Sequence, residues 1–427
     1  MARGWIAGLV DVRDGEMVPS SLAAAYFFCL MFGYFMLRPL RESMGLEGGV
    51  DSLRVLFLVT LGVMLVVNVG YGWLVSRLTR RVFIPLVYRG AIVCLLVFLG
   101  LLLSGQEAGG IVGRVFYVWL SVFNLLAVSV FWALMADTFT LAQGKRLFGF
   151  IGVGGTAGAI AGSAFAWRLA EAIGPVGLMI GAIVLIELAA RVAGRLAGRR
   201  SGGLEQRDGR DQPVGGASWR GLLDVMRNPY LGGIGVYVML YTVLSTLLYF
   251  EKMRIVDAAV SGSDARTSVF AGIELAGQTL TILVQLFLTG RLMRVLGVGV
   301  LLAAVPVVTV AGFAALLAAP TLGVLTSFDA VRKASNYALS KPARETLFTV
   351  VTRDEKYKAK GVIDTFVYRA GDSVGTLADK GVAAVSVSAG ALAIPLAFIG
   401  VGLAAWLGWR ERGRADERGA AVQAAAS

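Results

Sequence analysis

The chain has 427 residues, of which 57% are hydrophobic and only 16% charged, with a formal net charge of +12 and no histidine. A mean hydropathy of +0.73 excludes a soluble globular domain, whose composition normally includes about a quarter charged residues. The missing histidine removes His-based acid/base catalysis, Ser-His-Asp triads and the commonest metal ligand, so the chain reads as a non-enzyme without a cofactor.

Residues 1–19 lack a cleavable signal pattern and place Trp5, Ile6, Leu9 and Val10 beside Arg3 and Arg13. They read as an N-terminal interfacial segment, with a disordered tail as the alternative. Apolar stretches follow near 20–37, 53–76, 82–104, 111–136, 147–167 and 173–194. Each is long enough to cross about 30 Å of hydrocarbon as a helix. Hydrocarbon leaves no partner for a free backbone N–H, so spanning segments are helices or closed barrels, and continuous rather than alternating runs select helices. Cys29 and Cys94 lie inside such runs with no CxxC spacing and read as packed free thiols.

The first span ends in LRPLRES, with Arg38 and Arg41 three apart on one helical face. They are read either as substrate-binding cations or as arginines snorkelling to the interface. Asp137 closes the fourth span. The run FGFIGVGGTAGAIAGSAF carries small residues at four-residue spacing, a pattern for close helix packing; it lacks the features of a phosphate-binding loop. Residues 195–227, rich in glycine and charge, read as a linker between the N-terminal half (20–194) and a C-terminal half (228–409).

The second half repeats the pattern, with spans near 229–250, 267–289, 297–319, 321–350, 362–384 and 386–409 and a tail at 410–427. Glu274 lies in its second span. The tenth span, LGVLTSFDAVRKASNYALSKPARETLFTVV, carries Asp329, Arg332, Lys333, Lys341, Arg344 and Glu345, and a lipid-facing helix would not tolerate so many charges. Lys333 and Arg344 are eleven residues apart, about three turns, and share a face suited to an anion; inter-helix salt bridges are the alternative. Pro342 interrupts that helix. The eleventh span adds Asp364, Arg369 and Asp372. Carboxylates at these places either pair with the cations or carry a coupled proton.

Basic residues concentrate in RLTRR (77–81), GKR (144–146), the linker, GRLMR (290–294) and RDEKYKAK (353–360), all after even-numbered spans. Retention of positive charge on the cytoplasmic side places both termini there, in a multi-pass inner (plasma) membrane protein. The charge is thereby explained by orientation and by anionic lipid, without nucleic acid. The fold class is all-α integral membrane, with twelve transmembrane helices in two six-helix halves arranged as in the major facilitator architecture.

LRPLRES at 37–43, FWALMADTFTLAQGKRLFGFIGVGG at 131–155 and NYALSKPARETLFTVVTRDEKYKAKGVIDTFVYRAGDSVG at 336–375 resemble the ATP:ADP antiporter family. These are nucleotide carriers of plastids and intracellular bacteria that share the major facilitator fold. The resemblance implies transport roles for Arg41, for Asp137 where the exchangers have glutamate, and for Glu274. The chain departs from the family in the eleventh span, where GDSVG with Asp372 replaces a lysine-bearing glycine run.

The expected function is secondary active transport of nucleotides or similar phosphorylated anions by alternating access around a mid-membrane site. Arg38, Arg41, Lys333, Lys341, Arg344 and Arg369 would bind substrate, and Asp137, Glu274, Glu345, Asp364 and Asp372 would pair with them or couple protons. The expected partners are the bilayer and a small anionic solute such as ATP/ADP or another nucleotide, with the chain as a monomer. The alternatives are a proton-coupled carrier of another small anion and a non-transporting structural or regulatory membrane protein.

The topology predicts that a cysteine introduced as Ser201→Cys in the linker faces the cytoplasm. An impermeant thiol reagent added outside intact cells should leave it unmodified; external labelling would invert the assignment.

Overall fold

The computed structural model describes residues 13, 15–77, 80–105, 110–198, 227–348, 350–351, 359–360 and 362–426. The interfacial segment, except for a few residues before 20, the linker from 199 to 226 with Ser201, and most of the RDEKYKAK loop lie outside the described residues.

The described elements are all helical. In chain order they are α1 (Met17–Leu46), α2 (Gly49–Arg77), α3 (Arg80–Leu103), α4 (Ile111–Thr138), α5 (Leu141–Gly198), α6 (Pro229–Ala259), α7 (Ser263–Phe287), the short α8 (Thr289–Val295) and α9 (Gly297–Ala318). An interrupted stretch follows: α10 (Leu322–Ala334), a π-helical segment Ser335–Ser340 and α11 (Lys341–Leu347). A second π-helical segment, Ile363–Val367, runs into α12 (Tyr368–Ala384), and α13 (Ala389–Ala426) is the last described element. Nine helices among the described residues are long and apolar enough to cross a membrane. One of them, α5, is two arms joined at Gly174, whose φ of 60° is left-handed, followed by Pro175. Counting both arms, and adding the charged stretches 322–347 and 363–384 that π-helical segments interrupt, gives the twelve crossings.

The chain forms two compact units, Met1–Asp208 with Val260–Leu275, and Gly209–Ala259 with Ala276–Ser427. In the first, α1 lies against both arms of α5. Cβ atoms added at Gly154, Gly158 and Gly162 would sit 2.4, 2.3 and 2.5 Å from the carbonyl oxygens of Ala24, Phe28 and Phe32. The four-residue glycine repeat therefore meets a four-residue register on α1, backbone against backbone, as small-residue packing in lipid requires. Residue numbers rise together along this seam, so the first arm is parallel to α1. Gly33 faces Ala182 and Ile186, whereas Met36 reaches Gly181, so the second arm is antiparallel. The chain thus reverses at Gly174.

The start of α7 belongs to this unit through polar bonds. Arg38 donates to Glu274 at 3.0 Å, the Ser43 hydroxyl donates to the Ser263 carbonyl at 2.7 Å, and the Ser268 hydroxyl donates to the Trp167 carbonyl at 2.9 Å. At the other end of α1, Glu16 accepts two hydrogen bonds from the Arg146 guanidinium, at 3.1 and 2.9 Å, and one from Gln143 at 3.0 Å.

In the second unit, α9 and α13 run antiparallel, with Gly299 against Gly408, Gly400 against Pro306 and Gly390 against Leu317. Gly371 and Gly375 of α12 approach Thr242 and Thr246 of α6 in parallel register. Pro342 accounts for the first π-helical segment, because it cannot donate to the Ala338 carbonyl one turn before it. That carbonyl accepts the Thr289 hydroxyl at 2.9 Å instead.

Gly158→Val should lower the melting temperature of the purified protein, because overpacking a tight contact costs about 1–3 kcal/mol. Gly152→Ala on the same helix, where an added Cβ meets nothing within 4 Å, should leave it unchanged. Equal effects of the two would remove the seam's role.

The Glu16 carboxyl is lowered from 4.5 to about 2, chiefly by the Arg146 hydrogen bond and against the opposing effect of burial. A folded-state pKa below the unfolded one contributes stability that is complete above the unfolded value and is lost as pH falls through the folded one. Glu16→Gln should therefore destabilise the protein at pH 7. The difference from the parent should shrink as pH drops from 4.5 toward 2, and a pH-independent difference in thermal stability would contradict the assignment.

Candidate functional site

A cavity of about 400 Å³ opens within the second unit. Its lining comes from four places in the sequence: Tyr241 of α6, Asn336 and Tyr337 of the first π-helical segment, Lys341, Arg344 and Glu345 of α11, and Lys360, Asp364 and Tyr368. Asp364 lies in the second π-helical segment and Tyr368 directly follows it. Both irregular stretches therefore face the same space. The wider turn of a π segment re-aims the side chains that follow it, and such segments recur at functional sites.

The charges here are paired unevenly. Arg344 lies 3.6 Å from Asp364, beyond hydrogen-bond length, and its buried Nε has no hydrogen-bond partner among the described residues. Lys360 pairs with Glu345, and both side chains remain more than a third exposed. Lys341 is exposed, with its ammonium 5.8 Å from the Tyr337 ring centre. The described lining residues include three cations and two carboxylates, and Tyr241 and Tyr368 approach one another with ring centres 6.4 Å apart. Such a surface presents guanidinium and ammonium donors to an oxyanion and aromatic faces to a ring.

Of the residues singled out in the sequence, the structure brings Lys341, Arg344, Glu345 and Asp364 together in this cavity. The others occupy separate clusters. In the first unit Arg38 pairs with Glu274, while Arg41 bonds to Glu42 and to the Ser121 hydroxyl at 2.8 Å and lies over the Tyr117 ring. Asp137 is exposed at the end of α4. In the second unit Lys333 contacts Asp329 at 2.7 Å, with Lys252 also 3.9 Å from that carboxylate. Arg369 donates to the buried Asp372 at 3.4 Å.

Sequence reasoning left out several partners. Arg254 forms a two-pronged pair with the fully buried Asp379, at 2.8 and 3.2 Å, and also bonds Glu251. Arg332 donates to the Ser245 and Thr309 hydroxyls at 2.8 and 3.1 Å and lies over Tyr241. Glu251, Lys252 and Arg254 escaped notice because α6 continues to Ala259, well beyond the apolar run that marked its span. The three-residue spacing of Glu251 and Arg254 was the available signal. Tyr241, Tyr337 and Tyr368 carry no signal, since a tyrosine in an apolar run reads as packing.

No protein-family model and no curated protein sequence matches the chain. Solved structures do. A POT-family peptide transporter in an auto-inhibited form is similar, with a TM-score of 0.59 and 14% identity, over 92% of this chain and 96% of that one. A bacterial homologue of the human lysosomal transporter Spinster, inward-facing and unoccupied, gives 0.55 and 13%, over 94% of each. A variant of the nucleoside transporter NupG gives 0.53 and 16%, over 93% of this chain and 99% of that one. At these identities the likeness shows the fold alone, the twelve-helix arrangement of these membrane transporters.

Proposed function

We propose that the chain is a secondary transporter for a small phosphorylated anion, a nucleotide or a close analogue, working by alternating access. The observation that carries this reading is the mixed-charge, tyrosine-lined cavity of the second unit. Its volume of about 400 Å³ lies in the range of small-molecule sites, about 300–1,000 Å³. Arg344 and Lys341 contact the phosphate, and the tyrosine faces take the base or an equivalent ring. Binding proceeds by exchange: the substrate's oxygens displace Asp364 from Arg344 and Glu345 from Lys360. Among the described lining residues the balance is three cations less two carboxylates, or +1. A substrate of low charge matches that balance better than a triphosphate does. The resemblance to the ATP:ADP antiporter family supports the substrate class, and Asp372 in place of its lysine agrees with the lower charge.

A proton-coupled carrier of another small anion is the second reading, favoured by the buried Asp372 beside Arg369.

Reconstituted vesicles tested with labelled nucleotide mono-, di- and triphosphates, with and without an imposed pH gradient, separate the two. Exchange of monophosphates without a gradient supports the first, and uptake only down a proton gradient the second. Arg344→Gln and Lys341→Gln should weaken competition about tenfold or more, since a charge-assisted hydrogen bond is worth about 1.5–3 kcal/mol. Lys333→Gln should change affinity by less than about threefold, because Lys333 contacts Asp329 and is absent from the cavity lining. Unaltered affinity in the two cavity variants would remove the cavity as the site.

A further inference from the structure

The first unit carries an apolar groove that the transport reading does not use. It has a volume of about 450 Å³ and is formed by Leu56, Val59 and Val63 of α2 and Val115, Val118 and Val122 of α4. Trp119 and Arg114 complete it. The floor is rigid: Trp119 is stacked on Phe123 with an interplanar angle of 4° and lies within 5.5 Å of the Phe98 ring and 5.9 Å of the Phe116 ring. Among the described lining residues seven of eight are apolar, and the one charge, Arg114, stands at one end.

The axial order is informative. Arg114 lies on the first turn of α4, and Val122 lies eight residues further in, about 12 Å along the helix at 1.5 Å per residue. On α2, Leu56 is nearer the helix start and Val63 deeper. The groove thus runs from a cation near the helix ends into the hydrocarbon. Arg114 is exposed and forms no ion pair with any described residue. Its guanidinium lies beside Gly48, and Asp51 at the start of α2 is engaged by Arg54.

We propose that this groove holds one anionic phospholipid, with an acyl chain against the valines and Trp119 and the headgroup phosphate on Arg114. Charge complementarity selects the occupant. A zwitterionic lipid brings its own cation to the mouth, whereas an anionic one leaves its charge for Arg114. The assignment is independent of which solute the second unit binds.

Native mass spectrometry of the purified full chain, with phosphatidylglycerol or phosphatidylcholine added in equal amounts, tests it. The parent should retain one phosphatidylglycerol with about fivefold preference, the value expected for one basic group near a lipid headgroup. Arg114→Gln should abolish the preference while leaving the melting temperature unchanged, because Arg114 is exposed. Val59→Trp, at an exposed position that fills the groove, should displace both lipids while Arg114 remains. Equal retention of the two lipids by the parent, or a preference that survives Arg114→Gln, would overturn the proposal. Undiminished binding in Val59→Trp would move the lipid elsewhere and overturn it equally.

Discussion

The structure depends on one constraint: a charge within the hydrocarbon must have a partner. A lone charged side chain near the bilayer centre costs about 2.5–3.5 kcal/mol on insertion scales, and breaking one side of a buried pair costs about 3–5 kcal/mol. The chain meets this in two grades. Arg254 with Asp379 and Arg38 with Glu274 make bonds of 2.8 and 3.0 Å in which the acid is buried. Such pairs lock the helices that bear them, and neither opens onto the cavity. Arg344 with Asp364, at 3.6 Å, and the solvent-accessible Lys360 with Glu345 form the second grade. These keep the cavity close to neutral, and Arg344 retains a buried Nε with no hydrogen-bond partner among the described residues.

Backbone geometry places the second grade where it is. Pro342 forbids a regular helix through the charged stretch, and the freed Ala338 carbonyl is satisfied by Thr289. The resulting π-helical turn sends Tyr337 and Lys341 to the same space as Asp364 and Tyr368 from the second irregular segment. Elsewhere glycine does the opposite work. The seam at Gly154, Gly158 and Gly162 lets two backbones touch and packs α1 tightly against α5.

Much of this was legible in the sequence, for identifiable reasons. The class and most of the spans follow from hydrophobic length, and the glycine seam from four-residue spacing. The charge density of 329–345 marked a stretch that no lipid face would accept. Pairing was harder to read. Lys333 and Arg344 share a helical face only if the helix is regular, and the π turn between them breaks that register. Lys333 accordingly meets Asp329, while Arg344 meets Asp364 from another helix. Asp379 escaped notice because its partner Arg254 is 125 residues away and lies past the apparent end of its span. The tyrosines of the cavity were invisible because composition cannot distinguish a ring that packs from one that lines a space.

For the carrier proposed above, the two grades of pairing bear on how charge would be managed during transport. The described lining residues include three cations and two carboxylates and are close to neutral together, so a conformational change that narrows the cavity would not bury a large net charge. In the proposed exchange a bound anion would take over part of the neutralisation, and the displaced Asp364 and Glu345 would turn toward solvent or toward the remaining cation. Both arrangements would then remain affordable in a low dielectric, and the half-filled one, with a cation bare and its carboxylate already displaced, would be the costly one. A barrier placed on that arrangement would favour movement with the cavity either unliganded or fully occupied. Under this proposal a stronger pairing of Arg344 with Asp364 would favour the unliganded return, and a weaker one obligatory exchange.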